Sequence, residues 1–236
     1  MKTHKRKSLS YLSMICGIDE AGRGAVIGPL VMAGFYLSHE KVDDVLRAVG
    51  VRDSKLLSPK RREYLSHKLR SIGNVTYEIL MPFKLNELME KQTLNQIEVE
   101  AAEKIIVKIY KKCPFNDRLH TIYLDAFGPA KKLALKIEES IPFKAKVVAE
   151  HKADHKYLIV SAASILAKVT RDRIIEKLKS EIGDFGSGYP SDPKTISFLK
   201  KWVKEHTTPP PYTRTKWKTY KNMLREKSNK KLEDFE

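Results

Sequence analysis

Ile15-Cys16-Gly17-Ile18-Asp19-Glu20-Ala21-Gly22-Arg23-Gly24 reads as a short apolar strand that runs into two adjacent acids and a glycine turn. Residues 15–19 and 28–37 have the composition of strands, joined by a glycine-rich turn over 20–27. Further along, Ser58 before Pro59 is an N-cap with proline at the first helical position, opening a helix to about residue 70. Residues 75–80 read as a third strand. The stretch 94–112 carries Ile97, Ala101, Ile105 and Ile109 at a helical period. An apolar run over 119–124 ends in Asp125, and 145–149 is another short strand. A long helix is expected over 160–178, then a loop with Gly183, Gly186, Gly188 and Pro190, then a helix over 191–205. Strands followed by helices in this order predict an α/β fold, a central mixed β-sheet flanked by helices.

Charge divides the chain. Residues 1–14 form a basic extension with Lys2, Lys5, Arg6 and Lys7, and residues 15–208 form the body. Pro209, Pro210 and Pro211 break the preceding helix and open a basic segment over 209–236, where eight Lys and Arg between Tyr212 and Lys231 are opposed only by Glu226. With 45 basic against 29 acidic residues, the net charge of +16 suits a polyanionic partner, because each neutralised phosphate releases condensed counterions. A generic basic or ribosome-associated protein has the same balance. No run approaches the roughly 18 apolar residues of a membrane span. The stretch after the basic N-terminus is too short and broken for a signal peptide. Cys16 and Cys113 are too few for a disulfide framework, so a reducing, cytoplasmic setting is the expectation.

Asp19 and Glu20, Asp125, and Asp154 each sit at or just past the end of an apolar strand. Acids so placed converge above one edge of a sheet, where mutual repulsion calls for cations. An oxygen-only donor set selects Mg²⁺ or Mn²⁺, and two such ions about 4 Å apart would serve phosphodiester hydrolysis. The competing reading makes each acid a surface turn residue. On the long helix Ser161, Lys168 and Asp172 share one stripe with Ser164 beside it, suiting either a phosphate and metal neighbourhood or an ordinary solvated face. The Gly22-Arg23-Gly24 turn can bring backbone N–H groups against a phosphate or sugar. Asp53-Ser54-Lys55 is a second phosphate-binding candidate or a helix lead-in. Tyr189 either stacks on a sugar or base or covers the core edge. Trp217 and Tyr220 either pack on the body or touch nucleic acid.

Taken in order, 17–24, 53–55, Tyr123-Leu124-Asp125-Ala126, 152–154, 161–169 and 186–193 resemble the type 2 ribonucleases H, and among them the archaeal ribonucleases HII. The resemblance covers Gly17 to about Tyr220. It implies an RNase H-like fold with a helical C-terminal region. It also implies endonucleolytic hydrolysis of RNA in RNA/DNA hybrids, and cleavage 5′ of ribonucleotides embedded in duplex DNA, leaving 3′-hydroxyl and 5′-phosphate ends. On that resemblance Asp19, Glu20, Asp125 and Asp154 match the four catalytic, metal-binding acids, with two Mg²⁺ or Mn²⁺ ions as cofactors, and Asp172 a further acid near them. Gly22, Arg23 and Gly24 match the turn that contacts the 2′-hydroxyl and phosphate at the RNA-to-DNA junction, and Tyr189 the ring that stacks on the following deoxyribose. Asp53, Ser54, Lys55, Ser161, Ser164 and Lys168 complete the expected substrate contacts, and a monomer is expected. Ala25 stands where a proline commonly follows the glycine turn, an exchange expected to loosen it. A non-catalytic hybrid-binding protein is the competing class, and four retained acids argue against it because clustered negative charge repels phosphates.

Overall fold

A computed structural model describes residues 14–38, 41–112 and 119–233. The expected basic extension, apart from Met14, lies outside the described residues, as do Cys113 and the side chain of Lys55. Five strands, β1 (Met14–Ala21), β2 (Leu30–Ser38), β3 (Asn74–Leu80), β4 (Leu119–Asp125) and β5 (Lys146–Glu150), form one sheet in the order β3-β2-β1-β4-β5. β1 is antiparallel to β2 and parallel to β4, and β4 is parallel to β5, so the sheet is mixed as expected. The helices are α1 (Val42–Val49), α2 (Pro59–Ile72), α3 (Pro82–Leu88), α4 (Leu94–Lys112), α5 (Ala130–Ser140), α6 (Ala153–Lys156), α7 (Leu158–Ile182), α8 (Pro193–Glu205) and α9 (Lys218–Glu233). Among the described residues no helix is long and apolar enough to cross a membrane.

The period-two alternation of β2 explains the layers. Val31, Ala33, Phe35 and Leu37 point to one face, under α1, α2 and α7. Met32 and Tyr36 point to the other, under α4 and α5. Gly17 lets the start of α7 lie directly on β1, because a Cβ there would fall 2.2 Å from the Ile159 carbonyl oxygen. A smaller apolar cluster joins Val26 and Ile27 to the end of α7, α8 and α9 through Ile175, Phe185, Leu199, Tyr220 and Met223. Residues 212–223 of the basic segment therefore pack on the body, with Tyr220 and Met223 buried. Trp217, half-buried, packs against the same cluster.

Several boundaries differ from those expected. β1 continues through Glu20 to Ala21, because Glu20 pairs with Met32 in the ladder, and β2 begins at Leu30. α7 is longer at both ends than the 160–178 expected. The N-cap at Ser58 is as read, its hydroxyl accepting from the Arg61 N–H at 3.2 Å.

Candidate active site

Pairing β1 directly beside β4 in parallel brings their C-terminal ends together, with Asp19 one residue beyond the Ile18–Leu124 pair and Asp125 one residue beyond it on the other strand. Asp19 is buried, and its Oδ1 accepts the Glu20 N–H at 2.7 Å. Burial raises its carboxyl from the ordinary 3.8 to about 7, with the Asp125 charge adding to the rise. A hydrogen bond from Ser164 and the charge of Lys168 oppose that rise. Burial also raises Glu20 well above the carboxylate range, and the charges of Asp19, Glu98 and Asp125 push the same way. Three of the predicted acids thus form one repelling cluster. Asp154 joins its edge: Asp125 Oδ1 accepts the Ala153 N–H at 2.7 Å, and Ala153 precedes Asp154 in α6.

The Asp154 carboxylate faces His155 at 3.7 Å, and His155 in turn lies 3.2 Å from Asp53. Potential ligand atoms of Asp53, Asp154 and His155 all lie within 4.8 Å of one another. Asp53 therefore borders the acids rather than forming a separate phosphate site. Asp172 does not join the cluster. It lies eight residues beyond Ser164, about 12 Å along the helix axis, is exposed, and faces Arg62 at 3.4 Å.

Three expected substrate contacts are corrected by burial. Ser54, Ser161 and Ser164 are fully buried, and a buried hydroxyl cannot meet a docked strand. Ser161 donates to the Arg52 carbonyl at 2.6 Å, and Ser54 Oγ lies 3.0 Å from Ser164 Oγ. Lys168 donates to both Ser54 and Ser164, at 2.6 and 2.7 Å. The helix stripe is thus neither a solvated face nor a strand-contacting surface along its serines. It is a brace beneath Asp19, with one ammonium charge partly offsetting the acids.

Glu20 Oε2 is buried without a hydrogen-bond partner among the described residues. An unpartnered carboxylate oxygen beside two raised or repelling acids fits hard divalent cations, with Asp19, Glu20, Asp125 and Asp154 as the residues that would hold them.

The glycine turn stands beside this cluster. Gly22 has φ 88°, and a Cβ there would fall 2.4 Å from both Arg171 Nε and the Pro29 carbonyl oxygen, so only glycine fits. The Ala25 N–H donates to the Gly22 carbonyl at 3.2 Å. Proline at position 25 would delete that bond, so alanine closes the turn rather than loosening it. The Arg23 guanidinium is turned inward. It donates to the Phe127 carbonyl at 2.9 Å and to Asn95, and lies 3.2 Å from Glu98. Gly24 is the exposed residue of the turn, and among the described residues no atom beyond its chain neighbours lies within 4 Å of a Cβ placed on it.

Two distant segments lock the turn. Val26 and Ile27 N–H donate to the Gly188 carbonyl at 2.8 and 3.1 Å, and Arg214 donates to the Gly28 and Arg23 carbonyls at 2.9 and 3.1 Å. Arg214 is fully buried, and burial with the neighbouring Arg171 charge pulls it down to about 9. Tyr189, in the same loop as Gly188, lies over the Arg171 guanidinium at 4.5 Å. Sequence reading missed Glu98, Arg171 and Arg214. For the first two a signal existed. Glu98 shares a helical stripe with Ala102, Ile105 and Ile109, and Arg171 with Ala167, Ile175 and Leu178, so each is a charge on an apolar face.

Comparison with known proteins places the chain in a family. The family pattern described as Ribonuclease HII matches residues 16–220. The ribonuclease HII of Methanocaldococcus jannaschii is 44% identical over 227 residues, covering 93% of this chain and 98% of the relative. Among solved structures, the crystal structure of ribonuclease H2 from Pyrococcus horikoshii OT3 superposes with a TM-score of 0.79 at 42% identity, over 90% of this chain and 98% of that one. The RNase HII of Archaeoglobus fulgidus, solved in a complex with PCNA, also gives 0.79, at 44% identity over 89% and 96%.

Proposed function

This chain belongs to the ribonuclease HII family, and we propose that it hydrolyses the RNA strand of RNA/DNA hybrids and cuts 5′ of single ribonucleotides in duplex DNA, leaving 3′-hydroxyl and 5′-phosphate ends. It is a type 2 ribonuclease H with an RNase H-like fold. The single observation that carries the finer reading is the adjacency of the Asp19–Glu20–Asp125 cluster, with Asp19 buried, to a glycine turn that is exposed at Gly24 and tied to the loop of Tyr189.

Two Mg²⁺ or Mn²⁺ ions held by Asp19, Glu20, Asp125 and Asp154 would supply charge neutralisation and activation of the attacking water. The protein's own groups do the positioning. Ser164 and Lys168 fix Asp19 from below, and the Ala153 amide fixes Asp125. The backbone N–H groups of the Gly22-Arg23-Gly24 turn receive the 2′-hydroxyl and the adjoining phosphate, with Gly24 the exposed residue of the turn. The Tyr189 ring stacks on the next sugar, which must be deoxyribose for a junction substrate. Only the 2′-hydroxyl separates RNA from DNA at this point, so a tight backbone cradle is a suitable reader.

In this reading the enzyme acts as a cytoplasmic monomer on nucleic acid, and the complex of the Archaeoglobus fulgidus relative with PCNA suggests a partner of the same kind for it. The test is incubation with a duplex holding one ribonucleotide and with a long hybrid, with Mg²⁺, with Mn²⁺ and with chelator, mapping the product ends. Metal-dependent cuts immediately 5′ of the ribonucleotide are expected. Binding to both duplexes without any metal-dependent cut would remove the enzyme reading of this site.

A further inference from the structure

Arg171 is a buried cation with no carboxylate in hydrogen-bond contact among the described residues. It projects from α7 with 3% of its surface exposed, donates from Nη2 to the Ser187 carbonyl at 3.0 Å, and carries the Tyr189 ring 4.5 Å from its guanidinium carbon. On the same side chain, Nε and Cδ lie 2.4 and 2.7 Å from where a Cβ on Gly22 would stand, and Nη2 lies 3.3 Å from one on Gly188. A single guanidinium plane therefore underlies the glycine turn, the apex of the 186–189 loop and the tyrosine ring.

Packing alone does not explain an arginine here. Methionine would fill a similar volume without the desolvation of a charge, and Nε is buried with no hydrogen-bond partner among the described residues. Arginine does two things that methionine cannot. Its planar face holds an aromatic ring at fixed height, and its fork ties that ring to a backbone carbonyl. Arg214, buried next to it and bonded to the Gly28 and Arg23 carbonyls, holds the turn's other side.

We propose that Arg171 is a positioning residue that sets the spacing between the Gly22 turn and the Tyr189 ring, and so determines preference for a ribonucleotide followed by a deoxyribonucleotide over uninterrupted RNA. This deepens the proposed function and rests on it. Arg171 touches neither acid cluster nor substrate; it acts through Tyr189 and Gly22. Because long hybrids offer many registers for cleavage, loss of this spacing harms them less than a single-ribonucleotide duplex, which offers one.

The experiment compares wild type, Arg171→Met, Arg171→Lys, Tyr189→Ala and the Arg171→Met/Tyr189→Ala double variant, measuring kcat and KM on both substrates alongside Tm. Arg171→Met is expected to lower the ratio of single-ribonucleotide to hybrid kcat/KM about tenfold, the range of a desolvated cation–π contact. In the Tyr189→Ala background the same substitution should leave that ratio unmoved. Arg171→Lys, which keeps the charge but loses the planar stack, should shift the ratio in the same direction, and it serves as the deciding variant if Arg171→Met fails to fold. Equal losses on both substrates, or effects of the two substitutions that simply multiply, overturn the positioning role. Wild type that cuts neither substrate would instead overturn the proposed function itself.

Discussion

Asp125 Oδ1 accepts the Ala153 amide at 2.7 Å, so the acid at the end of β4 also fixes the first turn of the helix that carries Asp154. Two acids 29 residues apart in the chain are thereby set in one frame by a bond that needs only an acceptor oxygen.

Asp125→Asn keeps that oxygen and removes the charge. The fold is expected to survive, with Tm close to wild type, and duplex binding to remain measurable. Cleavage should fall about a thousandfold or more, as several kcal/mol of transition-state stabilisation are lost. Single-turnover rates beside a binding titration check this, and near-normal turnover would take Asp125 out of the metal site.

Gly22→Ala and Gly24→Ala should behave differently. The first places a Cβ 2.4 Å from Arg171 and a carbonyl at positive φ, and is expected to lose about 2 kcal/mol or more of stability. The second meets no atom within 4 Å among the described residues beyond its chain neighbours and should stay within roughly 0.5 kcal/mol of wild type. If the space above Gly24 is where a strand docks, its cleavage of the single-ribonucleotide duplex falls while Tm does not. Unaltered cleavage would place the strand elsewhere.

The basic segment has two separable parts. Composition alone predicts that removing it after Pro211 weakens binding and flattens its salt dependence. Because Arg214, Tyr220 and Met223 are buried, that truncation should instead unfold the C-terminal cluster. Replacing the exposed Lys218, Lys221 and Arg225 by Gln isolates the charge. Tm should hold, and the slope of log K against log salt should become shallower by roughly 0.9 for each phosphate that is no longer neutralised. An unchanged slope would make α9 a structural cap alone.

Stability in chelator should depend on pH through the acids. Asp19 and Glu98 are raised to about 7 by burial, and Glu20 is raised well above an ordinary glutamate. A carboxyl with a higher pKa in the folded state holds its proton more tightly there than in the unfolded chain. The stability it contributes is therefore complete below its ordinary value near 4 and is lost as pH rises through about 7. Chelated protein should lose Tm between about pH 4 and 7, and Asp19→Asn should flatten that loss. Added Mn²⁺ should raise Tm most above about pH 7, where the carboxylates are ionised. A Mn²⁺-induced shift of the same size at both ends of that range would count against these acids as its ligands.

The sequence by itself determined the strand carrying Asp19 and Glu20, the acid at the end of β4, the glycine turn and the long helix. Each is a local pattern: apolar alternation, a helical period, or glycine beside charge. The helical period of α1, in Val42, Val45, Leu46 and Val49 before Gly50, is also local, but it spans too few turns to stand out from a loop. Only the tertiary structure decided which polar groups face inward. Ser54, Ser161 and Ser164 look like ligands for a phosphate when read along the chain, and become an internal brace once α7 lies on β1. Arg171 and Arg214 look like two more cations for a polyanion, and become the buried supports of the turn and of Tyr189. The reason is that burial depends on what packs across from a residue. That neighbour comes from segments as many as 191 positions away, as with Arg214 and Arg23, and no local pattern encodes it.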